Sequence, residues 1–463
     1  MNLRSLFLTA VCLLVLGVPV AFAQTDTARV AEYRDERELI QRLEGEIPSA
    51  AGTTWDYGGW YRFSFTKFDD LGMDREAVDH DVRLWGSLSI GDIHQFYFRV
   101  RTIWADWARG DSFNGNDWDR EGPSLDQGWY RLRVARFARK HWKQEWPCDV
   151  DVKVGRQYIE VGQGLVMSTI LDAVALEFGN FYFTARVFGA KTFPSHENID
   201  ASAPKWWHDK RAIYGAEASV KNLLPGHEPY AYVVVVNDRN SHNAVPPVGM
   251  TFDYDPMYFG VGSRGYLISN LRYWGEYIWE RGKGHTIGQH IHARAWVAGV
   301  DYYFIDCPTR PHFTVEYARG SGDPDAVAPT NTVGGSLPGT SDRGFLATGY
   351  HDTGVTFAGR LANLHVLRVS GAFHPFERWA CVRNLEFGTS YYWFDKDKGT
   401  GGVSDFRANL PNTDLGEELD LYANWRITSD LLFTVRWGLF WPGRAYTDRN
   451  DRQYVLGSVT YSF

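Results

Sequence analysis

From Trp55 to the final Phe463 the chain repeats one pattern: short segments in which apolar or aromatic residues take every second position. Tyr61, Phe63 and Phe65 alternate with Arg62, Ser64 and Thr66; Val82, Leu84, Gly86 and Leu88 with Arg83, Trp85, Ser87 and Ser89. Phe96, Phe98 and Val100 alternate with Tyr97, Arg99 and Arg101; Tyr130, Leu132 and Val134 with Arg131, Arg133 and Ala135. Successive side chains of a strand point to opposite faces, so a period of two sorts one apolar face from one polar face. Further segments begin near Val150, Asp172, Phe181, Ile213, Tyr230, Tyr258, Leu271, Ala293, Phe313, Val355, Leu364, Leu385, Leu419, Phe433 and Tyr454. That makes about nineteen candidate strands, separated by Gly-, Asp-, Asn- and Pro-rich stretches.

Two all-β architectures use such strands. A sandwich buries the apolar face in a core; a membrane barrel turns it to lipid and keeps the polar face around water. Composition separates them. Aromatic residues are 16% of the chain, with 19 Trp, 25 Tyr and 28 Phe. That is more than a core between two solvated sheets would hold, and it suits a barrel with aromatic girdles. No repeat of a propeller or solenoid is visible. The expected fold is all-β: a single transmembrane antiparallel β-barrel of about 18 strands, since bacterial barrels close with an even number. Tight connections such as Ile90–Gln95 and Ile427–Leu431 are expected on the periplasmic side. The long Gly110–Leu125, Thr192–Lys210 and Gly320–Arg343 are expected outside.

The two ends fit this reading. Residues 1–23 carry Arg4, an apolar run and Ala21-Phe22-Ala23, the pattern of a cleaved signal peptide. Residues 24–50 follow as a periplasmic segment, with Val30, Tyr33, Ile40 and Leu43 at rough helical spacing, and residues 51–463 form the barrel. The last ten residues, YVLGSVTYSF, put Val455, Gly457, Val459, Tyr461 and Phe463 on one face. This reads as the closing strand, paired with the segment near Trp55–Phe65. Its terminal aromatics, Tyr461 and Phe463, resemble the address that outer-membrane barrels present to their assembly machinery.

Other chemistries have weak signals. Beyond the expected signal peptide, which holds Cys12, the chain keeps three cysteines, Cys148, Cys307 and Cys381; an odd, widely spaced set is neither a disulfide framework nor a metal motif. A net charge of −8 argues against nucleic acid. His290 and His292 share a face without further ligands, and Asp395–Gly402 lacks the closing acid of a calcium loop. No cofactor, metal or enzymatic activity is expected.

A barrel of this size leaves an aqueous bore, so its inner wall is the functional surface. The polar positions mid-strand are Arg62, Arg83, Arg99, Arg101, Arg131, Arg133, Arg186, Arg272, Arg368, Arg426 and Arg436. Acids join them on later strands: Glu177, Glu217, Glu276, Glu316, Glu386, Glu418 and Asp420. Guanidinium forks match carboxylates and phosphates, and charged rings set pore selectivity. The same charges also suit a ladder of ion pairs that keeps the barrel round and wet. Arg156 falls out of phase with the inward set.

Four motifs point to a family. WYRFSFTKF resembles the first strand of the alginate-export outer-membrane proteins, and VGRQYIEVGQGLV their Gly-Arg-Gln segment. TVEYARGSGDPD and GEELDLYANWRITSDLLFTVRWGLFWPG are similar to their Gly-Asp loop and Glu-Leu-Asp strand pair. The resemblance implies a monomeric barrel in the bacterial outer membrane, bound by outer-membrane lipid and passing an alginate-like anionic polysaccharide through an Arg-lined lumen. Its implied partners are the barrel-assembly machinery and periplasmic secretion components. A general anion or small-solute porin, or a barrel whose loops carry a binding or enzymatic activity, fits the same residues.

Overall fold

The computed structural model describes residues 52–463, apart from 71–72, 109, 113–116, 194–208, 241–253, 285–288, 329, 331 and 333. The signal-peptide and periplasmic-segment expectations, residues 1–23 and 24–50, lie outside the described residues.

The strands are β1 (Thr53–Asp70), β2 (Met73–Ile90), β3 (His94–Trp107), β4 (Trp118–Arg133), β5 (Asp149–Val161) and β6 (Met167–Gly179). They continue with β7 (Phe183–Lys191), β8 (Arg211–Val220), β9 (His227–Asp238), β10 (Asp255–Ile268), β11 (Leu271–Lys283) and β12 (His290–Tyr303). The last are β13 (His312–Gly320), β14 (Leu364–Phe373), β15 (Leu385–Lys396), β16 (Asp414–Arg426), β17 (Leu431–Pro442) and β18 (Arg452–Ser462). Each pairs antiparallel with its neighbours in sequence, and β1 pairs with β18, so one 18-stranded sheet closes on itself. The seam runs from Trp60 opposite Ser462 to Phe68 opposite Tyr454. Gly59 and Phe463 then exchange two backbone hydrogen bonds of 3.0 Å. Closure leaves no strand edge unpaired, which a lipid environment demands.

The alternation sorts the wall as expected. Tyr61, Phe63, Phe65, Leu84, Phe96, Phe98, Val300 and Val315 are exposed on the outside. Near the end that carries the short turns, Phe304 meets Phe313 and Phe373 meets Phe387. Near the opposite end, Trp296 meets Tyr317 and Tyr391 meets Trp393. These are two aromatic belts flanking an apolar band. Below, the ends are called the turn end, which holds residues 180–182, 269–270 and 427–430, and the loop end, which holds 321–363 and 397–413.

Three local expectations need correction. The segment near Val355 is no strand: residues 321–363, between β13 and β14, fold back into the bore. Its apolar positions are satisfied inside the barrel, where alternation reports burial without strand pairing. The loop expected over Gly110–Leu125 is shorter, because β4 already begins at Trp118. The alternation of Tyr130–Val134 stops at Arg133, where a helix α1 (Val134–Trp142) begins at the turn end. Helix-favouring Ala, Arg and Lys take over there, Ala135 and Ala138 are buried, and Lys143 ends the helix at φ 57°.

Candidate functional site: a strapped lumen

The inward residues 321–363 act as a strap. Their Phe345, Leu346, Phe357 and Leu361 join Tyr258, Val297, Phe394 and Phe440 of the wall in one apolar cluster inside the bore. Polar bonds tie the strap to well-separated arcs of the wall. Glu418 of β16 accepts the backbone N–H groups of Thr356 and Phe357, each at 2.7 Å, and Asp420 accepts that of Val355 at 3.2 Å. Across the bore, Tyr350 donates its N–H to the Gly164 carbonyl (2.9 Å), and Thr348 donates its hydroxyl to the Val166 carbonyl (3.1 Å), both in the β5–β6 turn. Glu280 of β11 accepts the Leu346 N–H at 3.1 Å, and Tyr258 of β10 donates to the Leu346 carbonyl. Between them, Asp352 of the strap accepts from Arg368 of β14 (2.7 Å) and from Tyr392 of β15 (3.2 Å). At the root of the strap, Asp397 receives Arg319, His365 and the backbone N–H of Gly322.

Two glycines make the crossing possible. A Cβ on Gly349 would lie 2.1 Å from the Gly164 carbonyl oxygen. Gly354 has φ +84°, and its Cβ would lie 2.4 Å from the Glu418 carboxylate. The β5–β6 turn also leans inward: Gly162 and Gln163 donate their N–H groups to Glu217 (3.0 Å) and Glu276 (2.6 Å). Tyr230 and Tyr232 complete the Glu276 shell at 2.7 and 2.6 Å.

The strap roofs two vestibules. One, of about 840 Å³, runs from Lys221, Tyr266 and Arg272 up to Tyr350, His351 and Asp352. Burial pushes the His351 ring below its ordinary pKa, and its Nε2 lies 3.8 Å from Glu316. The other, of about 710 Å³, runs from Asp430 and Ser462 up to Val355. Its wall carries Arg62, Arg426 and Arg436 among Ser390, Asn424, Thr434, Ser458 and Thr460. The hydroxyl face of YVLGSVTYSF is thus part of this vestibule.

The inward Arg residues fall into distinct settings. Arg83 and Arg99 are buried at 1% exposure and share the carboxylates of Asp81 and Asp126, with both guanidiniums 5.4 Å from the Trp60 ring. Arg101 reaches Asp81 at 3.3 Å. Arg186 pairs with Glu217 at 2.7 Å, and Glu177 lies opposite Arg186 in register. Arg272 pairs with Asp301, Arg133 with Asp92 of the first turn, and Arg368 with both Glu316 and Asp352. Arg131 stacks 5.3 Å above Trp129, beside Lys153. Arg62 donates to Thr460 at 3.3 Å, and Arg426 is exposed with no ion-pair partner among the described residues.

Several expected wall residues therefore do something else. Glu418 is fully buried and Asp420 nearly so, and both hold the strap rather than face water. Arg83 and Arg99 stand inside closed ion pairs. Arg156 lies on the outward phase, opposite Gly128, and pairs with Asp172 at 2.9 Å. His290 and His292 also face outward, and no metal-ligating cluster occurs among the described residues. Sequence reasoning missed the strap anchors Glu280, Tyr258 and Asp352. The one available signal was the apolar run around Val355 beside Gly349 and Gly354.

The alginate export family model matches residues 55–455. No curated protein matches the chain in sequence. Among solved structures, Pseudomonas aeruginosa OccK8 (OprE) aligns with a TM-score of 0.55 at 12% identity, covering 89% of this chain and 99% of that one. Acinetobacter baumannii OccAB2 gives 0.55 at 11%, covering 89% and 98%. Pseudomonas aeruginosa OpdK, solved with vanillate, gives 0.54 at 9%, covering 88% and 98%. At such identities the likeness is one of fold. Sequence motifs, a closed lipid-facing barrel and a match over most of the chain agree: the protein is an outer-membrane channel and belongs to the alginate export family.

Proposed function

We propose that the channel passes an acidic saccharide, an alginate-like polyuronate being the leading candidate, along the vestibule of Arg62, Arg426 and Arg436. The observation that supports this is the pairing of chemistries on that wall. Guanidinium groups offer forked donors to a carboxylate, and the surrounding Ser, Thr and Asn offer exchangeable bonds to sugar hydroxyls. Of the neighbouring acids, Asp420 holds the strap, while Glu386 and Asp430 line the same vestibule. A wall of weak, repeated contacts favours conduction over trapping.

The strap supports a second reading. It crosses the bore, so an unmoved strap favours small sugar acids or other organic carboxylates over a polymer. The fold neighbour OpdK holds vanillate, an aromatic carboxylate, which is consistent with passage of small acids.

Planar-bilayer recording of the purified barrel tests both. Anion-selective current blocked by polyuronate, but not by a neutral glucan, supports the polymer. Block or passage by monomeric uronate alone supports the small acid. The triple reversal Arg62→Glu, Arg426→Glu and Arg436→Glu should turn selectivity towards cations. Unchanged selectivity would remove this vestibule from the conduction path.

A further inference from the structure

Near the loop end, the outer wall changes character on β11 and β12. Outward positions on β11 run Tyr277, Trp279, Arg281, Lys283 toward the loops; those on β12 run Trp296, Arg294, His292, His290. Register sets Trp279 opposite Arg294, Arg281 opposite His292 and Lys283 opposite His290. Beyond the end of β13 the strap lengthens the sheet, Asp342 bridging Ile291. Asp342 and Ile291 are buried inward, which leaves the next residue, Arg343, exposed on the outer face. A basic wall thus stands directly above the aromatic belt, where the tilted rings of Tyr277 and Trp279 lie 4.6 Å apart and those of Trp296 and Tyr317 4.9 Å apart.

Across the β11–β12 ladder Arg281, Lys283 and Arg294 each face a histidine or a tryptophan rather than a carboxylate. Asp255, opposite Lys283, accepts the Asp238 N–H at 2.7 Å, Asp323 lies within electrostatic reach of Arg343, and Arg281 donates to the Glu280 and Ala293 carbonyls at 2.8 and 3.3 Å. Asp397, just past the end of β15, is taken by Arg319 and His365. The exposed Lys283, Arg294 and Arg343 thus present positive charge to an external anion.

We propose that this surface seats the phosphorylated headgroup of an outer-leaflet glycolipid. Two features select a lipid over a soluble polyanion. The basic group is continuous with the apolar band, so acyl chains can lie along the wall beneath a headgroup bonded to Arg281, Arg294 and Arg343. The group also faces outward, away from the conducting bore. Arginine forks match phosphate oxygens in pairs, and basic clusters at a membrane boundary bind anionic headgroups.

The test is native mass spectrometry of the full chain in detergent, with a bis-phosphorylated diglucosamine lipid added. The expected result is a one-to-one adduct that survives excess zwitterionic phospholipid. The fully dephosphorylated lipid should bind at least tenfold more weakly, and millimolar inorganic phosphate should not displace the adduct. Equal binding of the dephosphorylated lipid, or displacement by inorganic phosphate alone, would overturn the proposal without recourse to any variant. The triple variant Arg281→Gln, Lys283→Gln and Arg294→Gln should lose the adduct at least tenfold while conductance stays unchanged. Full retention of the lipid by that variant would equally overturn it.

Discussion

Arg368 on the barrel wall holds Asp352 on the strap, Nη1 to Oδ2 at 2.7 Å, while its Nη2 reaches Glu316 at 3.0 Å. One guanidinium thus joins the wall to the element that roofs both vestibules. Arg368→Ala would leave the buried Glu316 and the half-buried Asp352 without their cation, a loss of about 3–5 kcal/mol for breaking such a pair. The expected outcome is a lower urea midpoint in detergent and a several-fold rise in single-channel conductance as the strap swings free. A conductance equal to wild type would mean that the strap does not limit current.

Gly354→Ala probes the same strap at its other anchor. The new methyl meets the Glu418 carboxylate, and φ +84° disfavours any side chain. Destabilisation of about 1–2 kcal/mol is expected from that backbone alone, with frequent brief openings in bilayer recordings. Gly457→Ala is the control: its Cβ meets nothing within 4 Å, and it should behave as wild type.

Asp397 gives the strap root a pH dependence. Burial pushes its carboxyl up, but His365, the Gly322 N–H and Arg319 together outweigh burial and bring it well below the usual carboxylate range. A depressed acid contributes its full stability above the unfolded value of ~3.9 and loses it as pH falls below that. Conductance should therefore be steady from neutral pH down to about 4 and grow noisy below it. Asp397→Asn should bring that noise to neutral pH. Quiet recordings from that variant at pH 7 would show the root to be held by other bonds.

Deleting Phe463 removes both backbone bonds to Gly59 and the ring that stacks 6.1 Å from Tyr461 at the seam. The expected outcome is a several-fold fall in folded protein in the outer membrane, read by heat-shifted gel mobility. Copies that do insert should conduct with unchanged selectivity, since Phe463 faces lipid. A normal folded yield would show that the seam closes, and the chain is delivered, without it.

Most of the wall was legible from alternation. The inward phase of Arg62, Arg131 and Arg426 and the outward phase of Arg156 follow from a period of two, because a strand has only two faces. Val355 was misread because periodicity reports which side chains leave water, not which backbone they pair with. The roles of Glu418 and Asp420 were likewise hidden. Whether an inward carboxylate meets water or a backbone N–H depends on a loop some sixty residues earlier, Val355–Phe357.

What the sequence determined by itself was the architecture: closed, lipid-facing and 18-stranded, because alternation and aromatic content leave a chain few other ways to satisfy its backbone. What the tertiary structure decided was which part of the bore is open. The strap, the leaning β5–β6 turn and the closed pairs around Asp81 and Asp126 bring together residues far apart in the chain. Local patterns carry no information about such meetings; they arise only when closure of the sheet sets opposite arcs of wall within reach of one crossing loop.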